Sequence, residues 1–139
     1  MAVEIDIIYQ GDLHCEAKHT PSGNTIITDA PVDNGGKGDA FSPTDLVATA
    51  QGTCLVTIMG LVARQNEMDI EGTTVHIVKE MAADPIRRIG KLTATITLPP
   101  GKSYSADERA ILESAAKVCP VKQSLHPDVD VSIEFVYQE

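Results

Sequence analysis

Residues 42–67, SPTDLVATAQGTCLVTIMGLVARQNE, decide how the rest of the chain is read. Ser42 is a helix-capping residue type, Pro43 suits the first helical position, and Asp45 stands where a capping box places its carboxylate. The spacing predicts a helix from Pro43 to about Glu67. From Leu46 to Ala63 the run carries no charge, yet Thr49, Gln51, Thr53 and Thr57 interrupt it. No second candidate span, aromatic belt or flanking basic loop accompanies it, so the expectation is a helix buried on most sides and not a membrane span. Leu46, Ala50, Cys54, Ile58 and Leu61 predict its packed stripe, while Gly52 and Gly60 predict close approach of another backbone. Cys54 is thereby expected mid-helix on a packed face.

Toward the N-terminus, Val3, Ile5, Ile7 and Tyr9 alternate with Glu4, Asp6 and Ile8, which predicts a half-buried strand. Gly11 and Asp12 interrupt it. Two further strands, Leu13 to His19 and Thr25 to Asp29, flank the turn residues Pro21-Ser22-Gly23-Asn24, and the three are expected to form a meander. Residues 30–41, APVDNGGKGDAF, are too polar and too rich in Gly, Pro, Asp and Asn for an element. The glycines around Lys37 lack Walker spacing and no strand leads directly into them, so a phosphate cradle is excluded.

Toward the C-terminus, strands are expected near Thr73–Met81 and Lys91–Leu98, the second alternating Leu92, Ala94, Ile96 and Leu98 with Thr93, Thr95 and Thr97. Asp84-Pro85 marks their connection. Ser105-Ala106-Asp107-Glu108 is a capping box that opens a helix with Ile111, Leu112, Ala115 and Cys119 inward. Pro120 ends it and restarts a short helix to about Leu125, with Cys119 as cap. After His126-Pro127 a strand alternates Val129, Val131, Ile133, Phe135 and Tyr137 with Asp130, Ser132 and Glu134. The order is β-β-β-α-β-β-α-α-β, an α+β class, with no internal repeat and no linker long enough to divide residues 1–139 into separate domains.

Composition limits the partners. At 139 residues, with 11 basic and 20 acidic side chains and a formal net charge of −9, the chain repels phosphate backbones, and its three Tyr, two Phe and no Trp provide few stacking platforms. Nucleic acid and membrane are not expected partners. Cys15, Cys54 and Cys119 are too few and too scattered for a disulfide-stapled secreted scaffold. The N-terminus has no basic region followed by an apolar one. Both observations point to reduced thiols in a cytoplasm.

Two cysteines on inward helix faces, Cys54 and Cys119, are the parts of a thiol peroxidase, a nucleophilic thiol and a resolving one. Buried cysteines are equally common as small hydrophobes. Here the surrounding residues matter. Ser42-Pro43-Thr44-Asp45-Leu46 followed by small residues and Cys54, then Cys119-Pro120-Val121 after a strand pair and a capped helix, resembles the OsmC/Ohr family of hydroperoxide reductases. The resemblance extends to the DAPVDNGGKGDAFSP loop, the spacing between the cysteines and the element order, so it covers nearly the whole chain.

The resemblance implies an OsmC-like α+β fold, an intertwined homodimer with the cysteine-bearing helices central and the active sites at the dimer interface. It implies no cofactor and no metal. Cys54 matches the peroxidatic position: its thiolate would attack an organic hydroperoxide, releasing an alcohol and leaving a sulfenic acid. Cys119 matches the resolving position and would condense that acid to a disulfide, which a small dithiol or a dithiol protein would reduce.

The chain departs from the best-characterised members of that family, which use an Arg from the N-terminal strands held by a Glu at the start of the long helix. No Arg precedes Arg64, and Thr44 and Asp45 occupy the two positions after Pro43. Cys54 lies roughly 16 Å along the helix from Pro43 at about 1.5 Å per residue, beyond the reach of the helix dipole. A thiolate there needs a nearby cation. The N-terminal candidates are His14, Lys18 and His19; His14 is the preferred stand-in, with a plain strand-surface histidine as the competing reading. Asp45 is the remaining supporting carboxylate, and Cys119 gains thiolate character if it caps the short helix. Cys15 reads as structural. Two other functions were weighed: a family member without peroxidase activity that binds a small apolar ligand, and a metal module of Cys54, Cys119 and His126, with or without His14, which lacks paired-ligand spacing.

Overall fold

A computed structural model describes residues 1–139. The element order is β1 (Ile5–Gly11), β2 (His14–His19), β3 (Thr25–Asp29), a 3-10 turn (Val32–Asn34), α1 (Pro43–Gln65), β4 (Thr74–Ala82), β5 (Arg88–Thr97), α2 (Ala106–Ala116), α3 (Pro120–Ser124) and β6 (Asp130–Val136). All nine expected elements are present in the expected order, and the mixed α+β architecture is the one anticipated. The chain divides into two compact units, Met1–Val47 and Ala48–Glu139.

The first unit holds an antiparallel sheet in the order β1-β2-β3. Gly11, Asp12 and Leu13 all have positive φ, at 88°, 53° and 61°, which turns β1 tightly back onto β2. The expectation of a half-buried first strand fails. Ile5, Ile7 and Tyr9 on one face of β1 and Ile8 on the other are each more than half exposed, as is Ile26 of β3. The loop beyond β3 is more ordered than its composition suggests. Its 3-10 turn ends at Gly35 in the left-handed region, and the N–H groups of Gly36 and Gly38 bond to the carbonyls of Pro31 and Ala30 at 3.0 and 3.3 Å. A Cβ at Gly36 would lie 1.8 Å from the Ala30 oxygen, so this glycine is required by the closure of the loop.

The second unit holds a sheet in the order β4-β5-β6, with β5 antiparallel to β4 and parallel to β6. A central strand paired on both sides must bury its apolar face, and Leu92, Ala94, Ile96 and Leu98 are all buried. Leu55, Met59 and Ala63 of α1 and Leu112 and Ala116 of α2 join the core, together with Tyr104, whose hydroxyl donates to the Asp69 carbonyl at 2.6 Å. The α2 cap is the full box read from the sequence: Ser105 Oγ accepts the Glu108 N–H at 3.1 Å, and Glu108 Oε1 accepts the Ser105 N–H at 2.9 Å.

Two details of α1 correct the sequence reading. The buried residues are Ala48, Gln51, Gly52, Leu55, Met59 and Ala63, not the stripe through Ala50 and Leu61, and Leu61 is exposed. Gly52 does admit a close neighbour, with a Cβ there meeting Val75 Cγ1 of β4 at 3.4 Å, whereas Gly60 faces open space. By length and composition α1 would be apolar enough to cross a membrane. Its Leu55, Met59 and Ala63 instead fill the core of this unit.

Candidate active site

Cys54 is half-buried on α1, packed at the margin of the core, and Cys119 is fully buried at the residue that precedes α3. The fold brings these two cysteines together. Cys54 packs against the core cluster that contains Cys119, close enough for Cys119 and the backbone N–H of Val121 to act on its thiol. All three cysteines are free thiols.

The electrostatics of Cys54 run against thiolate formation. Burial, then interaction of its own S–H with the Cys119 sulfur, then Cys119's charge push its thiol above the ordinary 9.0, and only the Val121 N–H favours the anion. This N–H belongs to the first turn of α3. The expected cap by Cys119 is therefore only half met: Cys119 occupies the cap position, but its side chain makes no cap hydrogen bond, and a first-turn donor serves Cys54 instead.

Gln51, one turn before Cys54 on α1, was read from the sequence only as an interruption of an apolar run. It is wholly buried. Its Nε2 lies 3.9 Å from Cys119 Sγ, a long hydrogen bond to sulfur, and its Oε1 has no partner. A bare buried amide oxygen costs on the order of 1–3 kcal/mol. A polar residue in an otherwise apolar helix, at the i−3 position from a cysteine, was the available signal.

The other anticipated residues have different partners. His14 Nδ1 is paired with Asp29 Oδ1 at 2.5 Å in the first unit, so the imidazole is anchored there. Asp29 is almost wholly buried and went unremarked in the sequence. These two line a polar hollow with Gln10, Asp12, Lys37 and Asp39. Asp45 closes the capping box its position predicts: its carboxylate takes the Ser42 N–H at 2.9 Å, and its own N–H donates to Ser42 Oγ at 3.1 Å. Leu55 and Met59, which flank Cys54 along α1, are core residues. His126 is exposed beside Asp128, and no group of three His, Cys, Asp or Glu side chains converges on a point, which removes the metal module. A separate groove of about 290 Å³, lined by Thr49, Gly52, Thr53, Val56, Val75 and Ile77 among others, runs between α1 and β4.

Comparison with known proteins identifies the family to which this fold belongs. The family model described as OsmC-like protein matches residues 36–134, which contain both cysteines. The chain belongs to the OsmC-like family. A crystal structure of a candidate osmotic stress induced and detoxification response protein from Psychrobacter arcticus 273-4 is 46% identical, with a TM-score of 0.88, over 94% of this chain and 93% of that one. More distant OsmC-like folds include an organic hydroperoxide resistance protein OsmC from Legionella pneumophila, 17% identical with a TM-score of 0.78 over 98% and 97% of the two chains. An organic hydroperoxide resistance protein from Elizabethkingia anophelis is 19% identical with a TM-score of 0.73 over 99% and 96%. No curated protein matches the chain.

Proposed function

We propose that this OsmC-like chain is a thiol-dependent peroxidase that reduces organic hydroperoxides, with Cys54 peroxidatic and Cys119 resolving. The observation that carries the reading is the nearness of the two thiols, Cys54 packing against the cluster that contains Cys119, since a resolving sulfur has to stand beside the sulfur it attacks. The Cys54 thiolate attacks the outer oxygen of the hydroperoxide, the O–O bond breaks, an alcohol leaves after protonation, and Cys54 becomes a sulfenic acid. The Cys119 sulfur then displaces that oxygen as water and forms the disulfide. A dithiol or dithiol protein returns both thiols. Family membership and the hydroperoxide resistance of two fold neighbours support the reading. Ile58, a turn beyond Cys54, and the half-buried Val121 give the thiol apolar surroundings suited to an organic substrate.

The working form is a homodimer in the cytoplasm. Support for pairing comes from Ile5, Ile7, Ile8, Tyr9 and Ile26, which expose apolar surface on both sides of one small sheet.

One observation favours a second reading, an OsmC-like protein that binds a small apolar ligand without turnover. The influences on Cys54 include no cation, and burial and Cys119 hold its thiol protonated. Consumption of cumene hydroperoxide with a dithiol reductant separates the two. Turnover faster than with hydrogen peroxide supports the peroxidase, and no turnover with either supports the binding protein.

A further inference from the structure

Gln51 is the one buried polar side chain at this site to which the thiol chemistry assigns no task. The Gln51 amide donates to the Cys119 sulfur and not to Cys54. Leu or Met would fill the same volume without leaving an amide oxygen bare in the core. An amide N–H is a donor that does not titrate, and a donor facing a sulfur favours its anion over its thiol.

We propose that Gln51 is a positioning residue for Cys119: its Nε2–H holds the Cys119 sulfur and stabilises the negative charge left there when the sulfur gives up its proton to attack oxidised Cys54. The inference rests on the assignment of Cys54 and Cys119 as peroxidatic and resolving thiols. In that step a lone pair of the Cys119 sulfur forms the S–S bond. The S–O bond of the Cys54 sulfenic acid breaks with its electrons going to oxygen, and that oxygen takes the Cys119 proton and leaves as water. Cys119 is oxidised, the Cys54 sulfur is reduced, and the oxidising power comes from the organic hydroperoxide spent in the step before. Gln51 is unchanged throughout.

The test is a single turnover of the full chain with one equivalent of cumene hydroperoxide, quenched at intervals with dimedone and followed by mass spectrometry across pH. In Gln51→Leu and Gln51→Met, sulfenic acid on Cys54 should accumulate and disulfide form roughly tenfold more slowly, the loss expected when a hydrogen bond to a charged group is removed. The pH profile of disulfide formation should move to higher pH. Gln51→Glu, with a carboxylate against the sulfur, should be slower still. Disulfide formation at the wild-type rate in the Leu and Met variants overturns the proposal, and so does a slower rate with an unmoved pH profile, which marks simple packing. Thermal melts identify any variant that fails to fold, and the other one then decides. If the wild type gives no sulfenic acid, the peroxidase assignment fails by itself. Oxidation of the same thiol pair by diamide, which takes up the two electrons and two protons, then compares wild type with Gln51→Leu. A profile moved to higher pH keeps Gln51 in its role, and identical profiles remove it.

Discussion

Asp29 Oδ1 lies 2.5 Å from His14 Nδ1, and the other oxygen of the same carboxylate takes the Asp39 N–H at 3.1 Å. One nearly buried carboxylate thus ties β2, β3 and the following loop together. It also fixes which imidazole nitrogen is engaged and leaves Nε2 outside the pair.

Asp29→Ala should therefore destabilise the chain by about 1–3 kcal/mol, since it strands two donors in a partly buried place. Urea unfolding measures this. In the same proteins, His14→Ala should slow Cys54 oxidation roughly tenfold if the anchored imidazole is the cation that replaces the missing Arg, which is one unit of thiol acidity at a pH below the thiol's own value. An unchanged rate dismisses His14 from the chemistry.

Reactivity of Cys54 should climb steeply with pH through and beyond the ordinary thiol value of 9.0, because burial and the Cys119 thiol raise its folded-state value. Cys119→Ala removes two of the raising causes and should move the profile down. Stability has the opposite slope. Above about 9.0 the unfolded chain gives up the Cys54 proton before the folded chain does, so the contribution of Cys54 is complete below that pH and is lost as pH rises to the folded value. Iodoacetamide alkylation of Cys54 and urea midpoints across that pH range measure both slopes.

Gly36→Ala should disrupt the loop that leads into α1, since the added carbon has no room beside the Ala30 carbonyl and the obstacle is backbone. The expected loss is on the order of 1–3 kcal/mol, the range for over-packing a tight site. A denaturation midpoint equal to wild type would show that the loop relaxes freely.

Most of the architecture was legible where a local rule and the tertiary environment agree. Ser105 and Glu108 start α2 because their side chains close on each other, and Leu92, Ala94, Ile96 and Leu98 alternate because β5 is central and buried on one face. Two places resisted for opposite reasons. Around α1 apolar residues run on every side, so periodicity gives no direction, and the buried face proved to run through Gln51, a residue type that seldom signals burial. In β1 the alternation was sound as strand evidence but carried no information about coverage, since nothing in the first unit buries Ile5 or Ile7. The thiol pairing followed from the resemblance and the element order. The Gln51 and Val121 contacts depend on how α1 and α3 meet, which local pattern does not encode.

The exposed isoleucines of β1 and β3 bear directly on assembly. Light scattering should give twice the 14.8 kDa chain mass at micromolar concentration. Ile7→Lys with Ile26→Lys should reduce it toward a single chain by placing charge in the apolar surface. A single-chain mass for the wild type would remove the homodimer.

The division of labour between Cys54 and Cys119 is the centre of the account, and mass spectrometry after one equivalent of an organic hydroperoxide tests it most directly. The wild type should yield a Cys54–Cys119 disulfide. Cys119→Ser should oxidise once and yield a dimedone adduct on Cys54 without disulfide, Cys54→Ser should consume no peroxide, and Cys15→Ser should behave as wild type. A dimedone adduct on Cys119 in the Cys54→Ser protein, with peroxide still consumed, would contradict the assignment.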